Sequence, residues 1–221
     1  MMFRFLKILS VCTTLFFADA ALAETTSKPV ILVFGDSLSA AYGIPKEKGW
    51  VNLLAQRIKD KQLPYEVANA SVSGETTAGG LSRLPTALQQ FKPSIVVIEL
   101  GANDGLRGLP LDAMKNNLEK MIQASKQINA QVVLLGMFIP PNYGPKYTNG
   151  FKAVYLDLSE KYKTPFIPFF LDGVSGHSDL VLEDGLHPNV NAQRKILENV
   201  WPTLKPLLPR TTKVNTPIKD D

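Results

Sequence analysis

Cysteine is all but missing from this chain. The single one, Cys12, lies within the first 23 residues, so a polypeptide beginning after Ala23 has none. Such a chain holds no disulfide, no thiolate nucleophile and no cysteine metal site. Histidine is almost as scarce, with His177 and His187 the only two. No His-Glu-x-x-His sequence accompanies them, which argues against a metallohydrolase. Neither G-x-G-x-x-G nor a Walker A sequence occurs, so a nucleotide or phosphate binder lacks its glycine cradle. The formal charge of +4 is scattered along the chain rather than gathered into a basic cluster with interleaved aromatics. Nucleic-acid binding has no footprint here.

What is present begins with an unusual start. Arg4 and Lys7 form a basic end, Ile8 to Phe17 an apolar run, and Ala21-Leu22-Ala23 a small-residue cleavage site. This is the layout of a secretory signal peptide, and the apolar run is too short to anchor a chain across a bilayer. Removal of residues 1–23 leaves a charge of +3 and predicts a periplasmic or secreted protein. The stretch 24–208 suits one globular domain, since 45% of the chain is hydrophobic and 20% charged. Residues 209–221 are polar and without periodicity, which predicts a disordered tail.

Within 24–208, apolar runs alternate with helical patterns. Val30 to Phe34 is a buried strand, and Glu47 to Lys59 an amphipathic helix with Trp50, Leu53, Leu54 and Ile58 at helical spacing. A weaker strand follows at Tyr65 to Ala70, then a polar loop and a helix from Gly80 to Gln90, bent or delayed by Pro85. Ser94 to Leu100 reads as the third strand, with Gly101 to Gly105 a loop after it. Pro110 opens a helix, and Gln131 to Gly136 is the fourth strand. A Pro-rich loop over Met137 to Tyr147 precedes a helix at Gly150 to Lys161 and a fifth strand at Pro165 to Phe170. Pro188 starts the last helix, which runs toward Leu208 with a kink at Pro202. The alternation predicts a flavodoxin-like three-layer α/β/α sandwich with a five-stranded parallel sheet. In that order ligands bind beside the first strand, at its carboxyl end.

Ser37 falls at that edge, in Gly35-Asp36-Ser37-Leu38. A serine becomes a nucleophile only with a base, a group that orients the base, and donors for the oxyanion. Each can be found downstream. His187 is held extended by Pro188, and Asp184 lies three residues earlier, within reach of the ring after one turn. His177, in the polar loop Ser175 to Asp179, reads as a surface residue. Gly74 can offer a bare backbone N–H, and Asn103 a side-chain amide from the end of the third strand. Taken singly, each of these also fits ordinary turn chemistry. Together they converge on one sheet edge.

These four blocks resemble those of the SGNH (GDSL) hydrolase family. Gly35-Asp36-Ser37-Leu38 is similar to its first block, Ser73-Gly74 to its glycine block, Gly101 to Asp104 to its asparagine block, and Asp184 to Pro188 to its Asp-x-x-His block. Gly101 to Gly108 and Pro140 to Tyr147 further resemble the bacterial periplasmic acyl-CoA thioesterase/lysophospholipase/arylesterase subgroup. The resemblance implies Ser37 as nucleophile, His187 as base, Asp184 as its orienting acid, and Ser37, Gly74 and Asn103 as the oxyanion hole. Gly-x-Ser-x-Gly is absent, unlike in ordinary α/β-hydrolases.

The expected enzyme is a serine esterase/thioesterase that needs no metal and no cofactor, acts on small acyl substrates and works as a monomer. Carbohydrate O-acetylesterase and non-catalytic ligand-binding module are the alternatives on the same fold. Phe138, Ile139, Pro141 and Tyr143, in the loop after the fourth strand, are candidates to line a groove for an alkyl chain.

Overall fold

The structure, a computed structural model, describes residues 28–208. The expected signal peptide and the C-terminal tail lie outside the described residues.

Five short parallel strands make one sheet. They are β1 (Val30–Gly35), β2 (Glu66–Asn69), β3 (Ile95–Glu99), β4 (Gln131–Leu135) and β5 (Phe166–Ile167). Their spatial order is β2-β1-β3-β4-β5. The chain steps from β1 to one side and then returns past it, so the reversal lies between β1 and β3. The registers Gly35 opposite Glu99 and Val33 opposite Asn69 bring three strand ends to the same edge. β1 and β3 are buried along almost their whole length because helices cover both faces, as their unbroken apolar runs require.

The helices are α1 (Trp50–Asp60), α2 (Thr77–Phe91), α3 (Ala102–Leu106), α4 (Leu111–Gln127), α5 (Pro145–Tyr162) and α6 (Gln193–Leu204). α1 packs against α6, while α2, α4 and α5 pack side by side. Each long helix buries one stripe: Trp50, Val51, Leu54 and Ile58 in α1, and Met114, Leu118, Met121 and Ile122 in α4. The α1–α6 contact is pinned by a buried polar bond, in which the Trp50 backbone N–H donates to Gln193 Oε1 at 3.0 Å.

The predicted sandwich and strand number agree with this architecture, but several boundaries differ. α1 starts at Trp50 rather than Glu47 because Gly49 is extended, with ψ 150°, and separates it from a 3₁₀ turn at Lys46–Lys48. α2 starts at Thr77 rather than Gly80, capped by the Thr76 hydroxyl, which accepts from Gly79 N at 3.3 Å. Pro85 sits inside α2 without ending it. The expected loop after β3 contains α3, a single helical stretch too short to show a hydrophobic period. α5 begins at Pro145, with proline in its first turn. β5 is two residues long, because Phe170 N rather than Phe169 N closes on the Gly136 carbonyl, at 2.9 Å, which breaks the ladder after Ile167. Pro188 does not open the last helix. It pairs with Val181 in an isolated antiparallel bridge, and α6 follows a 3₁₀ turn capped by Asn189. Pro202 lies within α6, which runs on to Leu204.

Candidate active site

The turn after β1 carries Asp36 and Ser37 into the cleft at the strand ends. Asp36 is wholly buried and Ser37 nearly so. The Asp36 carboxylate caps its own turn, Oδ1 accepting from Leu38 N at 3.0 Å. Two more buried groups fix the turn from below: Ser39 Oγ donates to Glu99 Oε2 at 2.7 Å and accepts from Trp50 Nε1 at 3.3 Å.

His187 reaches Ser37 across the sequence, its Nε2 lying 2.9 Å from Ser37 Oγ. Nδ1 lies 2.7 Å from Asp184 Oδ2. The carboxylate accepts Nδ1–H, which leaves Nε2 free to accept the serine proton. Asp184 is itself fixed by its own loop: Oδ1 accepts from His187 N and from Leu186 N, both at 2.9 Å. Those two backbone N–H groups hold its pKa at about 2, against the usual 3.8, with the imidazole adding to the effect. The loop is closed at its neck by Leu182 N donating to His187 O at 2.7 Å, and Gly185 turns it at φ +69°. The Tyr42 ring lies against the imidazole, with centroids 4.5 Å apart.

Asn103 stands in α3. Its Nδ2 donates to Asp36 Oδ2 at 3.1 Å and to the Glu75 carbonyl at 3.0 Å. Burial is the main reason that the Asp36 pKa rises to about 6 from 3.8, opposed by the Leu38 N–H, the charge of His187 and the Asn103 amide. Asp104, also buried, ties α3 to the start of α2 by accepting from Thr77 N at 2.8 Å and from Thr77 Oγ1 at 2.5 Å. Gly74 sits on the adjoining loop at φ +77°, a conformation that favours glycine, and its carbonyl accepts from Arg107 Nη2 at 3.0 Å.

Ser37, Asn103 and His187 line a cavity of about 630 Å³, together with Leu106, Phe138, Ile139, Pro141 and Phe169. Phe138 stacks on Phe169 with centroids 4.3 Å apart. Of the four residues expected in an alkyl groove, Tyr143 stands apart. Its hydroxyl donates to the Leu106 carbonyl at 2.6 Å, so it braces the wall from behind rather than lining it. His177 is exposed and outside the cavity lining. No group of three or more His, Cys, Asp or Glu that could hold a metal occurs among the described residues.

Sequence reasoning missed Tyr42, Glu99 and Asp104. For Glu99 a signal existed, a lone carboxyl ending an otherwise apolar strand. Tyr42 and Asp104 carried none beyond their proximity to the blocks.

The chain is similar to known proteins along most of its length. Esterase TesA of Pseudomonas aeruginosa is 50% identical over 187 residues, covering 85% of this chain and 93% of that protein. Thioesterase 1/protease 1/lysophospholipase L1 of Escherichia coli (strain K12) is 38% identical over 189 residues, covering 86% and 87%. The crystal structure of the psychrotrophic esterase EstA from Pseudoalteromonas sp., inhibited by monoethylphosphonate, superimposes with a TM-score of 0.78 at 44% identity, covering 81% of this chain and 98% of that one. Residues 33–195, from within β1 to the first turn of α6, match a family over a span that takes in every block gathered around the cavity. The chain belongs to the GDSL-like lipase/acylhydrolase family.

Proposed function

We propose that this enzyme hydrolyses acyl esters and thioesters through an acyl-enzyme on Ser37. The observation that carries the reading is the unbroken line Ser37 Oγ–His187 Nε2 and His187 Nδ1–Asp184 Oδ2, at 2.9 and 2.7 Å, opening onto an apolar-walled cavity. His187 takes the Ser37 proton as Oγ attacks the acyl carbon, and the carbonyl π electrons move onto oxygen. Backbone N–H groups of Ser37 and Gly74 and the Asn103 amide receive that oxyanion. Asn103 enters by turning one N–H away from the neutral Glu75 carbonyl while keeping the other on Asp36. Collapse expels the alcohol or thiol, which leaves with the proton from His187. Water then adds to the acyl-serine by the same route in reverse roles, releasing the acid.

The names of the relatives, esterase TesA and thioesterase 1/protease 1/lysophospholipase L1, support ester and thioester substrates as the class. Phe138, Ile139 and Pro141 supply the wall for an alkyl chain. Serine, base, acid and oxyanion donors all come from one chain, which supports a monomeric enzyme. Side chains and backbone supply every step, so a chelator leaves the rate unchanged. The layout of residues 1–23 supports export with cleavage after Ala23; the exported protein should begin at Glu24 on N-terminal sequencing.

A serine-directed fluorophosphonate tests the reading. It should label Ser37, and Ser37→Ala and His187→Ala should fold yet lose labelling and hydrolysis, while His177→Ala keeps both. Loss on His177→Ala with retention on His187→Ala would reassign the base.

A further inference from the structure

Glu99 closes an apolar strand with a carboxyl that the mechanism above does not use. It is wholly buried at the end of β3, opposite Gly35 in the register. One oxygen, Oε2, accepts from two groups of the neighbouring turn: Ser39 Oγ at 2.7 Å and Asp36 N at 3.3 Å. These two donors bracket the turn that displays Ser37. The other oxygen, Oε1, is buried with no hydrogen-bond partner. A carboxylate placed this way would leave charge unsolvated on Oε1, which is costly. A proton on Oε1 removes that charge, at the smaller cost of one unpaired hydroxyl, and still leaves Oε2 able to accept both donors. Burial first, and the nearby Asp36 second, push this carboxyl well above the ordinary range.

We propose that Glu99 is a positioning residue for the nucleophile, its Oε2 holding the Ser37 turn by the N–H of Asp36 and the hydroxyl of Ser39 so that Ser37 Oγ meets His187. This rests on the reading of Ser37 as nucleophile. Glu99 touches neither substrate nor the reacting atoms, and it acts as an acceptor rather than as a charge. Ser39 extends the same support to α1, because its oxygen accepts from the Trp50 indole at 3.3 Å. Misplacement of the turn changes the fit to the transition state more than the fit to the bound substrate, so the effect belongs in kcat.

The test is steady-state hydrolysis of p-nitrophenyl butyrate by Glu99→Gln, Glu99→Ala and Glu99→Met, with thermal melting of each and Ser37→Ala as control. Glutamine keeps a neutral acceptor at the Oε2 position, so Glu99→Gln should hold kcat within about fivefold of wild type. Glu99→Ala should lower kcat at least tenfold with KM within about twofold. Glu99→Met fills the same space without an acceptor and stands in if the alanine variant fails to fold. Its kcat should fall as far. Wild-type kcat in Glu99→Met, or a Glu99→Gln as slow as Glu99→Met, would overturn the proposal. Activity retained by Ser37→Ala would instead overturn the reading of Ser37, whatever the Glu99 variants do.

Discussion

Gly35 faces Glu99 across the β1–β3 pairing with no room for a side chain: a Cβ there would lie 2.6 Å from Glu99 Oε2 and 2.9 Å from its carbonyl oxygen. The glycine at the head of the first block therefore makes space for the carboxyl that supports the serine turn. Both contacts are buried, and one is backbone, so the neighbour cannot simply swing away. Gly35→Ala should destabilise the fold by about 1–3 kcal/mol, as overpacking of a dense core does. Denaturant titration measures it, and an unchanged midpoint would show that the β1–β3 edge yields.

In the mechanism proposed above, Asn103→Ala removes the amide N–H that turns from the Glu75 carbonyl to the oxyanion as charge develops there. We expect kcat to drop roughly 100- to 1,000-fold, corresponding to about 2.7–4 kcal/mol, with KM little altered. Steady-state kinetics on a short ester decides the matter. A raised KM at wild-type kcat would make Asn103 a substrate-recognition residue.

Asp36 gives the fold a pH dependence of its own. Its carboxyl titrates near 6 when folded and near 3.8 when unfolded, mainly because it is buried. The folded state thus binds the proton more tightly. Its stabilising contribution is complete below about pH 4 and is lost as pH rises through 6, by roughly 2–3 kcal/mol. Asp36→Asn should flatten that part of the stability curve. It should also lower kcat, because an amide cannot accept from both Leu38 N and Asn103 Nδ2. Urea midpoints from pH 4 to 7 for both proteins supply the comparison.

Asp184 runs the opposite way. Backbone N–H groups lower its pKa to about 2, so its contribution is present above the ordinary carboxyl range and disappears as pH falls from about 4 through 2. Asp184→Asn should thus be least different in stability from wild type at pH 2. Its kcat at neutral pH should fall on the order of 10⁴-fold, since an amide at this position favours the wrong imidazole tautomer. A loss below tenfold would mean that the loop alone orients His187.

The wall of the cavity predicts chain-length selectivity. Across p-nitrophenyl esters and acyl thioesters, kcat/KM should rise from acetyl to about C8, each buried methylene adding up to ~0.8 kcal/mol. Phe138→Ser and Ile139→Ser should flatten the rise while sparing acetyl. Tyr143→Phe removes only the bond to Leu106 O and should leave the preference intact. Strict acetyl preference, unchanged in these variants, would favour carbohydrate deacetylation instead.

How much of this was legible in the sequence follows from what each signal depends on. β1 and β3 were plain because strands buried on both faces are apolar along nearly their whole length, with Glu99 at the end of β3 the exception. The convergence of Ser37, Asn103 and His187 was legible because parallel strands put their ends on one edge. Boundaries were less so, for they answer to tertiary contacts: Pro85 lies within α2 because the packing of Leu84, Ala87 and Leu88 keeps that helix continuous. Pro188 looked like a helix start, yet a bridge to Val181 holds it in the neck of a loop. Tyr143 had the composition of a groove residue, but the direction of its side chain is set by the Leu106 carbonyl, which no local pattern shows.

Ser37 and His187 meet across 150 residues, and the loop carrying the histidine lies next to the last helix, whose Gln193 must also find Trp50. During synthesis, the serine turn leaves the ribosome long before its base exists. On the proposed mechanism, Ser37 is an ordinary alcohol until the loop carrying His187 has folded back onto the end of β1, and until then the nascent polypeptide is inert toward the esters and thioesters of the cell that makes it.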